Sequence, residues 1–536
     1  MKQKKSINYL FLLMVIFASA CSPKIITNPS QEGKMEPVMI YSTIPLLKGM
    51  PFNFANLLQV YVPQGRQINY RSFQIQLDEE AVKAIEKIDI LVRDDLEKGF
   101  LKGATIYASV SSLSTTTNVP VDIPLKQGWN NIYLSIVLKK DADIDKKIFL
   151  RVKSVTASNN DVYQIKKSIV PDGRKPDYKR RMGIVVRKAW DDSVHTYRIP
   201  GVITTDKGTL IAVYDIRYKN SGDLPGDINV GMSRSTDGGH TWQPMKVIMA
   251  MGPPHENNGV GDPSVLFDPV TKKLWVAALW SKGNRSIAGS KPGLSPDITG
   301  QFVLASSDDD GLTWSTPASI TAQVKNPIWH LYFNAPGNGI AMQNGTLVFP
   351  SQYWDETTNY SSVGIPHSSI IYSEDHGKTW KSGTGARSNT TESQVVETTP
   401  GTLMLNMRDN RGKVRSIATT TDMGKTWVED FSSYYVLPDP ISMGSFIKAR
   451  VNVKGKMKEV LFFSNVASQT IRQLTTIKAS LDLGKTWLPK NQLLIDERTT
   501  FGYSALTKID DNTIGILYEG DRDLYFVRVP VKDIIK

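Results

Sequence analysis

Residues 235–242, STDGGHTW, decide the fold because the chain repeats this stretch four more times. The other copies are SDDDGLTW, SEDHGKTW, TTDMGKTW and SLDLGKTW, which end at Trp314, Trp380, Trp427 and Trp487. Each reads Ser/Thr-x-Asp-x-Gly-x-Thr-Trp, a composition typical of a tight hairpin turn. The Asp carboxylate accepts hydrogen bonds from turn amides, Gly tolerates a positive φ, and Trp packs beneath the turn. Five such turns predict a repeat architecture.

Six apolar strands form a second repeat. They begin at residues 208, 273, 345, 401, 459 and 512, and their matched positions are 54 to 73 residues apart. This period suits a four-stranded blade with its loops. We therefore expect residues 181–536 to form a six-bladed β-propeller in an all-β protein.

One register position near the end of these strands is polar in five of the six copies. Its residues are Asp215, Leu279, Gln352, Arg408, Asn465 and Glu519. If these strands are innermost, the polar side chains ring one mouth of the central channel. The alternative is that they are strand ends that reach solvent.

Residues 22–180 have a different pattern. Strand-like runs at 56–64, 130–140 and 146–155 are separated by Gly, Asn and Asp turns, with a possible helix near 79–87. This pattern predicts a small β-sandwich that acts as a carbohydrate-binding or spacer domain. The charged stretch VPDGRKPDYKRR at 170–181 predicts the domain boundary.

The first 21 residues predict export. Three lysines precede an apolar run at 9–20, which is too short for a membrane-spanning helix but has the layout of a signal peptide. Cys21 is the only cysteine in the chain, and Ala18-Ser19-Ala20-Cys21 resembles a bacterial lipobox, although Ala18 stands where leucine is more usual. We expect cleavage before Cys21 and a lipid anchor on it, so that the protein is held to the bacterial envelope, on its periplasmic or surface side. The alternative is a cleaved signal with an incidental cysteine.

Composition narrows the class of partner. The net charge of +12 is scattered along the chain, which argues against nucleic acid as a target and suits an acidic substrate. The six histidines show no paired ligand spacing, and no phosphate loop appears. We expect no metal and no cofactor.

Arg198 lies in TYRIP, within a segment that predicts a half-buried strand, and a buried guanidinium needs a partner. The five turns resemble the Asp-boxes of sialidases (exo-α-neuraminidases, glycoside hydrolase family 33), and we call them Asp-box turns. Asp-boxes also occur in unrelated propellers. Tyr197-Arg198-Ile199-Pro200 resembles the more specific Phe/Tyr-Arg-Ile-Pro motif of the family, and the resemblance covers about the last two-thirds of the chain.

The resemblance implies three arginines that grip the carboxylate of sialic acid. They are Arg198, Arg408 and Arg472, and guanidinium forks suit a planar carboxylate. Arg411 and Arg415 are alternatives for the second position, where the register of the strand favours Arg408. Glu519 resembles the acidic residue that orients the first arginine.

The resemblance also implies the catalytic groups. Asp223 follows Arg217 by six residues, as in the family, and would be the general acid, with Asp227 as an alternative. Asp262 would contact the region of the sugar's 4-hydroxyl and N-acetyl groups.

Tyr503 resembles the family's nucleophile. Sialidases are an exception among glycosidases in using tyrosine, because the anomeric carbon of sialic acid already bears a carboxylate that repels an anion. A neutral phenol needs an adjacent base. Glu392 resembles that base, and Glu397 is the alternative.

These residues predict a retaining exo-sialidase that acts on sialylated glycans. A trans-sialidase or an intramolecular trans-sialidase would use the same residues. A sialoglycan-binding lectin would need only the arginines, so Asp223, Glu392 and Tyr503 argue against it. Four aromatic residues near the predicted mouth could stack on a glycan, although a place in the core is favoured: Trp280, Trp329, Tyr353 and Trp354.

Overall fold

The computed structural model describes residues 35–93, 104–169, 178–252, 258–283, 289–355, 364–431 and 436–536. The predicted signal peptide and Cys21 lie outside these residues. The described part is nearly all-β, as predicted, and its α-helices are the short segments Glu79–Ala84, Thr321–Val324 and Val531–Ile534. No helix within these ranges is long and apolar enough to cross a membrane.

Two sheets come from the N-terminal region. In hydrogen-bonded order, one contains Lys167–Ile169, Val38–Tyr41, Asn53–Val62, Gly128–Leu138, Ile85–Val92 and Thr105–Val110. The other contains Val162–Gln164, Leu150–Ala157, Ile68–Leu77 and Thr116–Leu125. Buried residues of both sheets form one apolar core.

The helix expected near 79–87 is shorter than predicted. Asp78 caps it by accepting a hydrogen bond from the Ala81 N–H at 2.9 Å. The helix ends at Ala84 because the next residues, from Ile85, already pair with the strand Gly128–Leu138. Strand pairing overrides the local helical tendency there.

Six further sheets follow along the chain, and we number them 1 to 6. Sheet 1 contains Thr196–Thr204, Leu210–Arg217, Ile228–Ser235 and Lys246–Met249. Sheet 2 contains Gly337–Asn338, Val260–Phe267, Leu274–Trp280, Gln301–Ser307 and Ala318–Ser319. Sheet 3 contains Leu331–Asn334, Leu347–Asp355, Ile365–Ser373 and Lys381–Ser382, with Ile340–Ala341 and Arg387–Ser388 paired beside them.

The last three sheets each contain four antiparallel strands, and sheet 6 adds a parallel strand. Sheet 4 contains Thr390–Thr399, Thr402–Asp409, Ser416–Thr420 and Val428–Asp430. Sheet 5 contains Ser445–Val453, Lys456–Val466, Thr475–Ser480 and Gln492–Asp496. Sheet 6 contains Ser504–Asp510, Thr513–Glu519, Leu524–Pro530, Arg180–Arg187 and Leu46–Lys48, with Lys147–Ile148 beside Arg180–Arg187. A small ladder pairs Lys413–Val414 with Pro438–Asp439.

The last of the six sheets contacts the first one. Ser504–Asp510 of sheet 6 contacts Ser445–Val453 of sheet 5 and also Thr196–Thr204 of sheet 1. Sheet 6 is itself built from both ends of this region, because Arg180–Arg187 pairs with Leu524–Pro530. The N-terminal region adds to it as well, through Leu46–Lys48 and Lys147–Ile148.

Each of the six repeated apolar strands lies inside its sheet, as the second strand from one edge in sheets 1, 3, 4, 5 and 6 and as the third in sheet 2. The expectation that they are innermost is wrong, because the innermost strand of a blade is an edge strand, and each of these strands has a hydrogen-bonded neighbour on both sides. Apolar periodicity reports burial, and a central strand of a four-stranded sheet is as buried as an inner one. Four of the polar register residues, Asp215, Gln352, Asn465 and Glu519, are nevertheless buried.

The five Asp-box turns adopt one geometry, as predicted. In each, the Asp carboxylate accepts the backbone N–H of the Thr four residues later at 2.8 to 3.0 Å. The same Asp accepts the hydroxyl of the Ser or Thr two residues earlier at 2.7 to 2.8 Å. The shared glycine has a positive φ in every copy, for example 89° at Gly377, where a Cβ would lie 2.2 Å from Trp275. Each of these turns follows the strand that comes after the repeated apolar strand in the same sheet, at the edge where the apolar strands begin.

Candidate active site

The opposite edge of the sheets carries the predicted site residues. Three strands have a β-bulge at this edge, and each bulge holds one predicted site residue. These residues are Arg198 in sheet 1, Asp262 in sheet 2 and Glu392 in sheet 4. Ile199 and Asp262 both have φ of 56°, a left-handed conformation that is uncommon outside glycine. Bulges re-aim side chains out of the regular alternation of a strand, so they turn these polar groups inward.

Glu519 is the partner of the buried Arg198. The Arg198 Nε donates to Glu519 Oε1 at 3.0 Å, and the Ile199 N–H donates to the same oxygen at 2.9 Å. The other oxygen of Glu519 accepts the Tyr503 N–H at 2.9 Å. One fully buried carboxylate thus holds both Arg198 and the backbone of Tyr503.

Arg217 forms a buried bridge between two aspartates. Its Nε and Nη2 donate to Asp215 Oδ2 at 3.1 and 2.9 Å. Its Nη1 donates to Asp223 Oδ1 at 2.7 Å and to the Ser221 carbonyl at 2.7 Å. Arg217 therefore fixes the loop that carries Asp223.

The Asp223 side chain is 77% exposed, although its carboxylate lies beside two arginines. Its Oδ1 is 3.5 Å from Arg198 Nη1. Partial desolvation would raise the pKa of Asp223, but Arg217 and Arg198 outweigh that effect, and the pKa is lowered. An anion that neutralises these arginines would return the pKa toward its usual range.

Tyr503 and Glu392 are in direct contact. The Tyr503 hydroxyl donates to Glu392 Oε1 at 2.5 Å, and Arg408 Nη1 donates to Glu392 Oε2 at 2.5 Å and to the Tyr503 oxygen at 2.9 Å. Burial and the Glu392 charge raise the pKa of Tyr503 well above its ordinary value, so the phenol keeps its proton at rest. Glu392 is placed to take that proton.

The three predicted arginines surround Tyr503. The guanidinium carbon of Arg198 lies 5.2 Å from the centre of the Tyr503 ring, and that of Arg472 lies 5.8 Å from it. Arg408 touches the hydroxyl, and its Nε is buried with no hydrogen-bond partner among the described residues. Such a concentration of positive charge favours an anionic ligand.

Asp262 completes the group. Its N–H donates to Asp215 Oδ1 at 2.8 Å, so Asp215 holds both Asp262 and Arg217. Burial, with the charges of Asp215 and Glu392 nearby, raises the pKa of Asp262 and favours its neutral form. A neutral carboxyl can donate a hydrogen bond as well as accept one.

The four residues that the sequence left as alternatives have other contacts. Arg411 Nη1 donates to Asp409 Oδ1 at 3.0 Å, and Arg415 is fully buried beneath the site. Glu397 accepts backbone N–H groups of Gln343 and Gly401, both at 2.8 Å, at the Asp-box edge. The Asp227 carbonyl accepts the Tyr218 N–H, which closes the base of the loop that carries Asp223.

Sequence reasoning did not assign two positioning residues next to the site. Asp215 was noted only for its register, yet it holds Arg217 and Asp262. Phe501 packs its ring 4.4 Å from the Arg198 guanidinium, and its carbonyl accepts Arg472 Nη1 at 2.9 Å. Asp215 could have been found from its place two residues before Arg217 on one strand, whereas Phe501 carries no signal in the sequence.

A buried charged cluster, Arg415, Asp439 and Lys478, was also missed. Arg415 Nη1 donates to the Ser442 carbonyl at 2.5 Å, and Asp439 accepts the Ser442 N–H at 2.8 Å. The neighbouring Ile441 carbonyl accepts Arg472 Nη2 at 2.8 Å. The cluster therefore supports the turn on which Arg472 rests.

Of the four aromatic residues named above, Tyr353 and Trp354 are buried, and Trp280 and Trp329 are half-buried. Tyr353 stacks on Trp329 with ring centres 3.9 Å apart, and Trp354 stacks on Phe333 at 5.7 Å. Tyr353 and Trp354 are each 8% exposed. Their place in the core of sheet 3 agrees with the favoured interpretation.

One group of side chains among the described residues has the spacing of metal ligands: Asp143, Asp145 and His240. It lies at the Asp-box edge, since His240 is part of the first turn. Arg528 Nε already donates to Asp145 Oδ1 at 2.6 Å, and this cation competes with a metal ion. The group has no connection to the site described above.

Comparisons with known proteins match this chain to a repeat-domain family and to sialidases. Residues 208–516 match the BNR repeat-like domain family. The chain is 47% identical over 425 residues to a sialidase of Bacteroides fragilis (strain YCH46), covering 77% of this chain and 76% of the relative. It is 34% identical over 357 residues to a sialidase of Micromonospora viridifaciens, covering 65% of this chain and 53% of the relative.

A solved structure is similar over nearly the whole chain. The Hadza microbial sialidase Hz136 superimposes with a TM-score of 0.84 at 38% identity, covering 93% of this chain and all of that one. The likeness therefore extends beyond the repeats into the N-terminal region.

Proposed function

The chain belongs to the sialidase family of glycoside hydrolases, and on that premise we propose that it is an exo-α-sialidase that cleaves terminal sialic acids with retention through a tyrosyl-enzyme intermediate. The substrates are sialylated glycans.

One observation carries the proposed mechanism. Tyr503 hydrogen-bonds to Glu392 at 2.5 Å while three arginines surround it. A phenol beside a base is an activated nucleophile, and the arginines supply a site for the carboxylate that sialic acid bears at the reacting carbon. A lectin would need the arginines but not the pair of Tyr503 and Glu392.

In the first step, the Tyr503 oxygen attacks the anomeric carbon as its proton passes to Glu392. Asp223 gives its proton to the glycosidic oxygen, and the bond from that oxygen to the anomeric carbon breaks. Binding of the substrate carboxylate neutralises part of the arginine charge, which raises the pKa of Asp223 and favours the protonated form that can act as the general acid.

In the second step, water attacks the same carbon and Asp223 takes its proton. The bond to Tyr503 breaks, and the phenolate recovers its proton from Glu392. Two inversions at one carbon give net retention. Asp262, in its neutral form, is placed to hydrogen-bond to the sugar.

The test uses soluble protein from residue 22 onward with sialyllactose, followed by NMR. Retention predicts that free sialic acid appears first as the α-anomer. The β-anomer appearing first would contradict a retaining mechanism. An anhydro sugar or a transferred sialic acid would instead identify an intramolecular trans-sialidase or a trans-sialidase, and binding without release would identify a lectin.

The finer architecture forms part of the same proposal. Six consecutive, mainly antiparallel sheets whose last member contacts the first support a six-bladed β-propeller over residues 181–536. Two sheets with one shared core support a β-sandwich within residues 22–180. The strands that this region adds to sheet 6 favour a spacer role over an independent glycan-binding module.

Export and anchoring rest on the sequence of residues 1–21 alone. Cleavage before Cys21 and lipidation of its thiol would hold the enzyme at the bacterial envelope. Mass spectrometry of the mature N-terminus tests this, with Cys21→Ser as the control. An unmodified Cys21 in protein purified from the membrane fraction would rule the anchor out.

A further inference from the structure

Trp190 lies on the loop that joins sheet 6 to sheet 1, at the same edge as the site. The loop leaves the strand Arg180–Arg187 at Arg187, which pairs with Leu524, and Leu524 in turn pairs with Glu519. The loop enters the next strand at Thr196, which pairs with Arg217. The two ends of this loop therefore lie near two site residues, Glu519 and Arg217.

The loop is held in one conformation. The Trp190 N–H donates to the Val194 carbonyl at 2.6 Å, and the Ala189 N–H donates to Asp523 Oδ1 at 2.7 Å. The Tyr197 hydroxyl donates to the Asp191 carbonyl at 2.9 Å. Trp190 has φ of 73°, an outlier for a bulky residue, and such strain is found mainly where a function requires it.

This rigid loop presents its largest side chain to solvent. Trp190 is 64% exposed, and it packs edge-on against His195 with ring centres 5.0 Å apart. The His195 N–H donates to the Tyr218 carbonyl at 3.3 Å. Tyr218 begins the loop that carries Asp223, so His195 connects Trp190 to the base of that loop.

We propose that Trp190 forms the subsite for the first sugar of the leaving glycan. This inference rests on the proposed function, in which Asp223 protonates the glycosidic oxygen. The sugar on the far side of that oxygen must leave past the loop that carries Asp223. A neutral hexose offers an apolar C–H face, and an exposed indole offers a flat apolar surface for it.

The experiment compares a substrate that has a leaving sugar with a ligand that has none. Trp190→Ala should lower kcat/KM for sialyllactose about tenfold, the loss of one aromatic contact. The inhibition constant of 2-deoxy-2,3-didehydro-N-acetylneuraminic acid, which lacks a leaving group, should stay within about twofold. Trp190→Phe should recover most of the loss. Leu312→Ala, at a side chain that is 50% exposed in an Asp-box turn, should change neither value.

Two results would overturn the subsite. One is an unchanged kcat/KM in Trp190→Ala. The other is a loss of inhibitor affinity equal to the loss in kcat/KM, which would mean that Trp190 supports the sialic acid pocket through His195. If the wild-type protein releases no sialic acid, the proposed function fails by itself. The Kd of sialyllactose for wild type and Trp190→Ala then decides the subsite separately.

Discussion

The Asp-box turns at one edge of the sheets and the site residues at the other edge are joined by the same strands but held by different kinds of contact. In the turns, the shared hydrogen bonds span two to four residues, and five different segments reach the same geometry. At the site, Glu519 holds Arg198 across 321 residues, and Glu392 holds Tyr503 across 111. The shared contacts of each turn therefore form within one segment, whereas these two site contacts depend on strands from distant parts of the chain.

The largest expected effect is a loss of catalysis at the edge of the sheets that carries the site residues. Tyr503→Phe removes the nucleophilic oxygen but keeps the ring, and it leaves Glu392 paired with Arg408. We expect kcat on sialyllactose to fall more than about a thousandfold, which is about 4 kcal/mol of activation free energy. Tyr332→Phe, which removes a buried hydroxyl 3.0 Å from Ser351, is the control and should leave kcat unchanged. A Tyr503→Phe enzyme as active as wild type would remove Tyr503 from the mechanism.

Asp223 tests whether the exposed loop contributes chemistry without contributing stability. Asp223→Asn removes the proton donor, and we expect kcat on sialyllactose to fall about a hundredfold. An aryl sialoside, whose leaving group needs little protonation, should be affected much less. The melting temperature should hold, since the side chain is 77% exposed. Equal losses on both substrates would contradict a role as general acid.

Glu519 tests the long-range contacts directly. Glu519→Gln keeps the shape but leaves Arg198 without its buried counter-charge, so we expect kcat/KM to fall about thirtyfold and stability to fall by about 3 kcal/mol. Glu397→Gln is the matched control at the Asp-box edge, where Glu397 accepts two backbone N–H groups. It should lose stability and keep kcat/KM. If both variants lose activity equally, the two edges are not independent.

The smallest effect concerns a single turn. Thr313 donates its hydroxyl and its N–H to Asp309, and these bonds lower the pKa of Asp309 to about 2. Because the pKa is depressed in the folded state, the stabilisation is complete above the unfolded pKa of about 3.9 and is lost as the pH falls through the folded value.

Asp309→Asn should therefore lower stability by about 1 kcal/mol near neutral pH, with kcat unchanged. The difference in melting temperature from wild type should shrink between about pH 4 and pH 2. Asp308→Asn, in the same turn but 76% exposed, should show little change at any pH. A difference that persists below pH 2 would mean that the charge of Asp309 is not what stabilises the turn.

The predicted features that the structure reproduces are local ones. Ser-x-Asp-x-Gly-x-Thr specifies a turn from its own atoms, and apolar runs such as Leu210–Arg217 specify buried strands. The order of strands within a sheet is not local. The register residues were therefore expected on innermost strands, although those strands lie inside their sheets with a neighbour on both sides. The parallel pairing of Leu46–Lys48 with Met182–Ile184 has no sequence signal either, because the two segments are far apart in the chain.

The site, too, has a part that the sequence predicted and a part that it did not. The residue types of Arg198, Asp223 and Tyr503 in their order were enough to name the chemistry by resemblance. The contacts that place them were not predictable. The bulge at Arg198 depends on its pairing with a second strand, and the hydrogen bond from Arg472 to the Ile441 carbonyl depends on a segment 31 residues away. Phe501 and the cluster of Arg415, Asp439 and Lys478 have no motif at all.

The sequence alone determined the repeat, the strand content, the turn geometry and the class of reaction to expect, since each of these depends on residue type and short spacing. The tertiary structure decided which strands are inner, how Leu46–Lys48 joins sheet 6, and that Tyr503, Glu392 and three arginines meet at one point. It also decided that Trp190 stays exposed at the same edge of the sheets. These depend on packing between distant segments, whose free energy no local pattern encodes.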